Sequence, residues 1–534
     1  MGKRWIVFAA LFLAFGAQTT VVAQVREPGP PTGTARGVVF DDRNKNGKRD
    51  PGEPGLGGIV VSNQREVVKT DRQGRWQLPH DDDTIFFVVK PRNWMTPVDE
   101  DKLPRFYYIH KPAGSPPNLR YEGVKPTGPL PASIDFPLMR RPEPTKFAAL
   151  FFGDTQPRDL REVDYIIRDI VEPIIHRKEK FDFGVTLGDV VFDDLTVTKP
   201  LVQAIGLIGI PWYYVLGNHD INFDVTDDEH SDEHWERTFG PNYYSFDHGP
   251  THFVVLDDVV WFGKDNAVKL DPARTNGFYR AGLGKTQLEW LERNLATVPD
   301  NKLVVLMMHI PINEIEDRAE LFRILAKRPY ALSVSAHTHF QEHRFLTSKD
   351  GWPKAEPHHH VVNVTTCGSW WTGAPDSRGV PHTTMRDGAP HGYSVFTFDG
   401  NQYKIEFRAA RRSPDYQMNI MAPDALRGSE VSSTVVYANV FGGSERSKVE
   451  YSFAGSRWAP MTKTLENDPL FTVTSQRDRT LQRPYRPLPN PMQSPHLWKA
   501  TLSGSLQPGV YPLHVRTTDM FGQVSIATRA IRVN

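Results

Sequence analysis

The sequence predicts an α/β domain set between two β-sandwich modules, and three observations predict it. First, five short apolar runs each end on a polar group: residues 147–153 before Asp154, 183–188 before Asp189, 212–217 before Asn218, 303–308 before His309 and 331–336 before His337. Continuous runs of this kind are expected of strands buried on both faces. Second, residues 164–177 and 286–295 have helical spacing. In the latter, Leu288, Leu291 and Leu295 share one face with Trp290 close by, a stripe that reads as core. Third, the pattern changes on both sides. Short β runs between Gly- and Asp-rich corners fill the stretch from Gly37 to Leu138, and longer β-like runs return from Ser413 onward.

The chain has 534 residues, enough for several cores. Lys+Arg and Asp+Glu both count 63, so no charge excess points to long nucleic acid or an anionic membrane surface. The start reads as an export signal over residues 1–23: Lys3 and Arg4, an apolar run over 5–15, then Val21, Val22 and Ala23 as a cleavage site. That run is shorter than the roughly 20 residues a bilayer span needs, and no later stretch qualifies. The expected product is periplasmic or secreted, with no membrane span after cleavage. Cys367 is the single cysteine, which leaves no intramolecular disulfide; its strand-like surroundings read as a buried small side chain.

Residues 24–34 are Pro/Gly-rich and read as disordered, and residues 24–140 form the first β-sandwich-like module. Within it, Asp42, Asn44, Asn46, Gly47, Asp50 and Glu53 match the spacing of a calcium loop. Pro51, Pro54 and Gly55 forbid a following helix, so this is no helix-loop-helix pair. The loop is similar to the calcium-pinned loops of B-repeat modules in bacterial adhesins; the alternative is a Gly-rich turn that binds nothing. Residues 140–145 read as a charged, Pro-bearing linker. The α/β domain is expected over 145–412 and the second sandwich over 413–534, with a Pro/Arg/Gln-rich loop near 477–495.

The polar groups that follow the apolar runs carry the chemistry. Asp154, Gln156, Asp189, Asn218, His309, His337 and His339 are hard and borderline metal ligands. Open α/β sheets gather ligands outside the carboxyl ends of their strands, so these side chains converge on one crevice. Carboxylate and amide oxygens suit hard ions, and imidazole suits Mn, Fe or Zn. Two such ions about 3.5–4 Å apart need a bridging anion, and Asp189 is the natural bridge. His219 follows Asn218 in a turn and is free to act as an acid.

The order D-x-Q, G-D, G-N-H-D, H, H-x-H resembles the calcineurin-like metallophosphoesterases. The resemblance reaches from about 145 to 410. It implies a four-layer sandwich of two mixed sheets flanked by helices, and a two-metal hydrolase of phosphate mono- or diesters. It also implies that Asp154, Gln156, Asp189 and His339 hold one ion, and that Asp189, Asn218, His309 and His337 hold the other. His219 would protonate the leaving oxygen, oriented by Asp220. Gln156 stands where family members usually have His, and Ala336 where they have Gly. The order of modules also resembles exported bacterial members with accessory domains at both ends.

Residues 357–392 form a long polar and aromatic stretch with many Gly and Pro. Long loops in compact domains are often functional. This one begins soon after His339, so Trp370, Trp371, Asp376, His382, Asp387 and His391 are candidates for binding the rest of a small-molecule or headgroup phosphate ester; for Trp370 and Trp371 the equal alternative is plain packing. His358, His359 and His360 read as a surface tract or a core strand edge in preference to a third metal site. The rival from another class is an exported adhesin or carbohydrate-binding protein with an idle phosphoesterase scaffold. The intact ligand set argues against it.

Overall fold

The computed structural model describes residues 31–263, 278–481 and 484–534. The export segment expected over 1–23 lies outside the described residues. Gly33 and Thr34, expected in a disordered run, begin the strand Gly33–Asp41.

Two mixed sheets form the centre. One runs Trp212–Val215, Phe183–Leu187, Lys146–Phe152, Gly392–Asp399, Gln402–Ala409, with its first three strands parallel. The other runs Tyr244–His248, Thr251–Val255, Leu303–Met307, Ala331–Ser335, His358–Val362, Glu342–Leu346, parallel through its middle four strands. Phe183–Leu187 and Leu303–Met307 are buried at every position, as the unbroken apolar runs require. The sheets meet face to face through aromatic rings: Phe253 lies 5.1 Å from Phe183 and 5.3 Å from Phe398, centroid to centroid. Leu150 and Phe152 on the far face of the first sheet pack with Val163, Ile166 and Leu201 of helices Leu160–Ile166 and Thr198–Gly206. Leu288, Leu291, Leu321 and Phe322 of helices Gly284–Leu295 and Arg318–Leu325 join the core of the second. The result is four layers, helix–sheet–sheet–helix.

The helical run expected over 164–177 is interrupted by a π-helical segment, Ile167–Val171, just ahead of Pro173. Proline has no N–H to continue the ladder, and a wider turn passes the gap.

Two four-stranded sheets make the N-terminal β-sandwich, and a four- and a five-stranded sheet make the C-terminal one. Neither stands apart. Phe86, Phe87 and Val88 share one core with Trp290 of the α/β layers, and Trp290 Nε1 donates to Ser62 Oγ at 3.0 Å. Residues 140–145 are not a free linker: Glu143 is buried and accepts from Lys90 Nζ at 2.5 Å and from Gly249 N at 2.9 Å. The run expected as a loop near 477–495 starts inside helix Pro469–Thr480, which Asp468 caps through Phe471 N at 2.7 Å.

The calcium-like loop closes on its own donors. Asp42 accepts from Asn46 N and Gly47 N, Asp50 from the amides of Asn44 and Asn46, and Glu53 from Arg43 N and Asp50 N. Among the described residues, Asp42, Asp50 and Glu53 do not gather into a candidate ion group. These contacts hold the loop as a tight Asx-rich turn.

Candidate metal centre

Each sequence-predicted ligand lies just past the carboxyl end of a parallel strand. Asp154 and Gln156 follow Lys146–Phe152, Asp189 follows Phe183–Leu187, Asn218 follows Trp212–Val215, His309 follows Leu303–Met307, and His337 and His339 follow Ala331–Ser335. The two sheets present these ends on one side, so all seven residues meet. Among the described residues, two groups of ligand atoms lie within 4.8 Å of one another: Asp189, His309 and His337, and Asp154, Asp189 and His339. Asp189 belongs to both.

The backbone is strained where it delivers these groups. Asp154, Gln156, Asp189, His337 and His339 all have positive φ, from 26° to 69°. Each such residue costs on the order of 1–3 kcal/mol, and strain of this kind concentrates at functional sites. Two glycines are required by the same crowding. A Cβ on Gly188, whose φ is 84°, would meet His309 Nδ1 at 2.3 Å, and one on Gly217 would meet Asp189 N at 2.0 Å.

The donor set fits a divalent cation. His309 Nδ1 lies 2.8 Å from the Leu187 carbonyl and His339 Nδ1 2.7 Å from that of Gly368, which leaves both Nε2 atoms turned inward, where they could ligate. His309 Nε2 then faces Asn218 Oδ1 at 3.1 Å, His337 Nδ1 at 3.1 Å and Asp189 Oδ1 at 3.2 Å. Such a convergence of lone pairs calls for positive charge at its centre. Burial disfavours a proton on His309, yet Asp189 beside it holds its pKa up to about 10: this position draws positive charge, a proton or, in its place, a metal cation. Burial and neighbouring imidazole keep His337 down to about 3, and burial keeps His339 down to about 4, so both are neutral as ligands must be. Asp154 Oδ1 is buried and has no hydrogen-bond partner. Gln156 lies with its amide nitrogen 3.0 Å from Asp189 Oδ2; exchanging the two amide atoms would aim its oxygen into the site. Cys367 is buried as expected, its Sγ 3.7 Å from Gln156 Oε1 and 3.7 Å from His339 Nδ1.

His219 projects at the rim, with Nε2 3.9 Å from Asp189 Oδ2. Its partner is not Asp220. Asp220 accepts from Val190 N, Val191 N and Gly217 N, and so ties two ligand loops together. Asp193 takes the orienting place, with Oδ1 2.6 Å from His219 Nδ1. Burial lowers the affinity of His219 for a proton, but Asp189 and Asp193 outweigh it and raise the pKa to about 9. Phe192 stacks on the imidazole at 4.7 Å, and Arg158 covers the Phe192 ring at 4.2 Å. Sequence reasoning missed Asp193, Phe192 and Arg158. The available signal was a second carboxylate four residues beyond Asp189, on the same loop. Asp258 was also missed; it accepts from His309 N and Ile310 N and fixes that ligand turn.

The 368–392 loop divides. Trp370 stacks on His339 at 4.1 Å and is half-buried, so it stays beside the centre. Trp371 is 2% exposed, lies near Tyr165 and His391, and donates from Nε1 to Thr155 O at 3.1 Å. It is a packing residue and not a substrate contact. The other four candidates lie against protein groups. Asp376 binds Arg411 and its own turn, and His382 faces Asp478 and Thr384. His391 faces Asp169, and Asp387 pairs with His496. His358–His360 lie on a buried inner strand, paired on both sides, and not at a strand edge or on the surface: His360 faces Ser333 and Ser335, and His359 faces His343 and Tyr403.

Trp371→Ala should lower stability by about 3–5 kcal/mol, the usual cost of emptying a buried aromatic site. Turnover of large and small esters should fall alike, because Thr155 lies between Asp154 and Gln156. Thermal melts beside kinetics on two ester sizes check this; a selective loss on the larger ester with an unchanged melt would restore the contact role.

Three family models match successive parts of the chain. The N terminal of calcineurin-like phosphoesterase matches residues 43–125, calcineurin-like phosphoesterase 147–341, and the C terminal of calcineurin-like phosphoesterase 360–524. The chain belongs to the calcineurin-like phosphoesterases. Over 226 residues it is 23% identical to the 3',5'-cyclic adenosine monophosphate phosphodiesterase CpdA of Escherichia coli K12, a match covering 38% of this chain and 72% of that protein. Among solved structures, PhoD aligns with a TM-score of 0.36 and 12% identity over 77% of this chain and 90% of its own. The purple acid phosphatase PPD1 of yellow lupin aligns with a TM-score of 0.35 and 13% identity over 66% of each chain. As a calcineurin-like phosphoesterase with these Asp/His groups, the chain is a metal-dependent hydrolase of phosphoric esters, which displaces the idle-scaffold alternative.

Proposed function

We propose that this phosphoesterase works on small phosphate esters outside the cytoplasm, with two divalent ions in adjoining sites that share Asp189. The observation that carries the two-ion reading is the pair of ligand groups with that one carboxylate in common. Asp154, Gln156, Asp189 and His339 would hold one ion, and Asp189, Asn218, His309 and His337 the other; Mn, Fe or Zn are the ions these donors suit. Bound there, the ions supply Lewis-acid charge to the phosphoryl group and favour an attacking hydroxide. His219 holds a proton at Nε2 for the departing oxygen, and Asp193 at Nδ1 keeps that ring turned toward it. Arg158 and Phe192 hold the outer face of the ring. Trp370 offers its free side to the rest of the ester. The basic, apolar start of the chain and its small-residue site at 21–23 support export.

A phosphodiester is the first class to test, since CpdA is named for a cyclic one. The metal-stripped chain is reloaded with Mn²⁺, Fe²⁺ or Zn²⁺ and offered aryl mono- and diesters, nucleotides, phospholipid headgroups and cell-wall phosphodiesters. Turnover that needs added metal, with two ions per chain, is expected; one ion at full activity would overturn the two-ion reading. For export, mass spectrometry of the periplasmic or secreted protein should find a start at Gln24, and an intact Met1 on a cytoplasmic product would refute it.

A further inference from the structure

We propose that the C-terminal sandwich is a working part of the metal centre, with His496 as a positioning residue for the H-x-H loop. His496 lies in strand Gln493–Thr501 and Asp387 in the loop after the metal ligands; both are fully buried. His496 Nε2 is 2.9 Å from Asp387 Oδ2, and the same oxygen accepts from Gln341 N at 2.9 Å. Gln341 is two residues from His339. The imidazole is itself held, with Nδ1 2.8 Å from Asn439 Oδ1. Asn439 Nδ2 donates to the Asp387 carbonyl at 2.8 Å and to Asp468 at 2.7 Å. Asn439, Asp468 and His496 all come from the C-terminal part of the chain.

A second path reaches the same ligand. His339 Nδ1 rests on the Gly368 carbonyl, and Ser369 N donates to Thr383 O at 3.2 Å. The turn that follows Thr383 is pressed against the C-terminal part, because a Cβ on Gly388 would meet the Asp468 side chain at 2.4 Å. The sandwich therefore grips both the backbone beyond His339 and the loop that orients its ring. Partners in the shell behind metal ligands typically change affinity by about 10–100-fold when removed. This inference rests on the divalent-metal reading above.

The test is Mn²⁺ titrated into the metal-stripped full chain, followed by calorimetry. His496→Ala should weaken Mn²⁺ binding by about tenfold or more, and His496→Gln, which can still donate to Asp387, should recover most of it. Arg446→Ala is the control. It removes a cation lying 3.7 Å over the Phe345 ring, a contact between the same two parts of the chain that does not involve Asp387 or Gln341, and should leave Mn²⁺ affinity as in the wild type. A folded His496→Ala with wild-type affinity, or an equal loss in Arg446→Ala, would overturn the proposal. If His496→Ala does not fold, Asp387→Asn takes its place under the same criterion. A wild-type chain that binds no Mn²⁺, Fe²⁺ or Zn²⁺ would instead sink the metal reading itself.

Discussion

Asp189→Asn should abolish hydrolysis and lower the metal content of both sites together. One carboxylate serves both ligand groups, so its loss withdraws negative charge from each. The expected drop in kcat/KM is at least about 10³-fold, the upper range for losing one preorganised electrostatic contact. The fold should survive. Residue 189 has φ of 45°, and asparagine tolerates the left-handed region as well as aspartate does. Its backbone carbonyl, which accepts from Gln156 N at 3.1 Å, is unchanged. Elemental analysis and circular dichroism on the same sample check both halves. Two ions per chain at normal occupancy in the folded variant would show that Asp189 is not shared.

His219→Gln should keep its metals and lose turnover in proportion to the basicity of the leaving group. A positioned general acid is typically worth about 10²–10⁴-fold, and the benefit shrinks when the departing oxygen needs little help. An alkyl ester should therefore fall through most of that range and an activated aryl ester much less. Asp193→Asn should reproduce the pattern in weaker form, because it disturbs the ring through Nδ1 and leaves Nε2 in place. Asp220→Asn should not. It should loosen the turns at Val190 and Gly217 and show first in the melt, since all three of its hydrogen bonds go to backbone N–H groups. Equal losses on alkyl and aryl esters in His219→Gln would remove the acid role.

The convergence of these seven side chains was legible in the sequence because strand ends are local. An apolar run sets a buried strand, and the residue after it must emerge where parallel strands end. Asp154, Asp189, Asn218, His309 and His337 follow from that rule alone. The glycines of G-D and G-N-H-D were equally legible, although the reason for them, the crowding against His309 and Asp189, arises only in the folded chain. The tertiary structure decided which group faces which. Asp220 adjoins His219 in sequence yet turns to three amides, whereas Asp193 reaches it from another loop. Trp370 and Trp371 are neighbours with φ of 58° and 51°, and that kink sends one ring over His339 and the other into the core. Asp387 read as a substrate contact because a polar residue in a Gly-rich loop is usually solvated. Here a histidine more than a hundred residues away packs onto it. A linear pattern fixes which atoms emerge at a sheet edge; side-chain direction, burial and long-range pairing arise only when separate parts of the chain close on one another, and those decided that His219 faces Asp193 and that the C-terminal sandwich reaches Asp387.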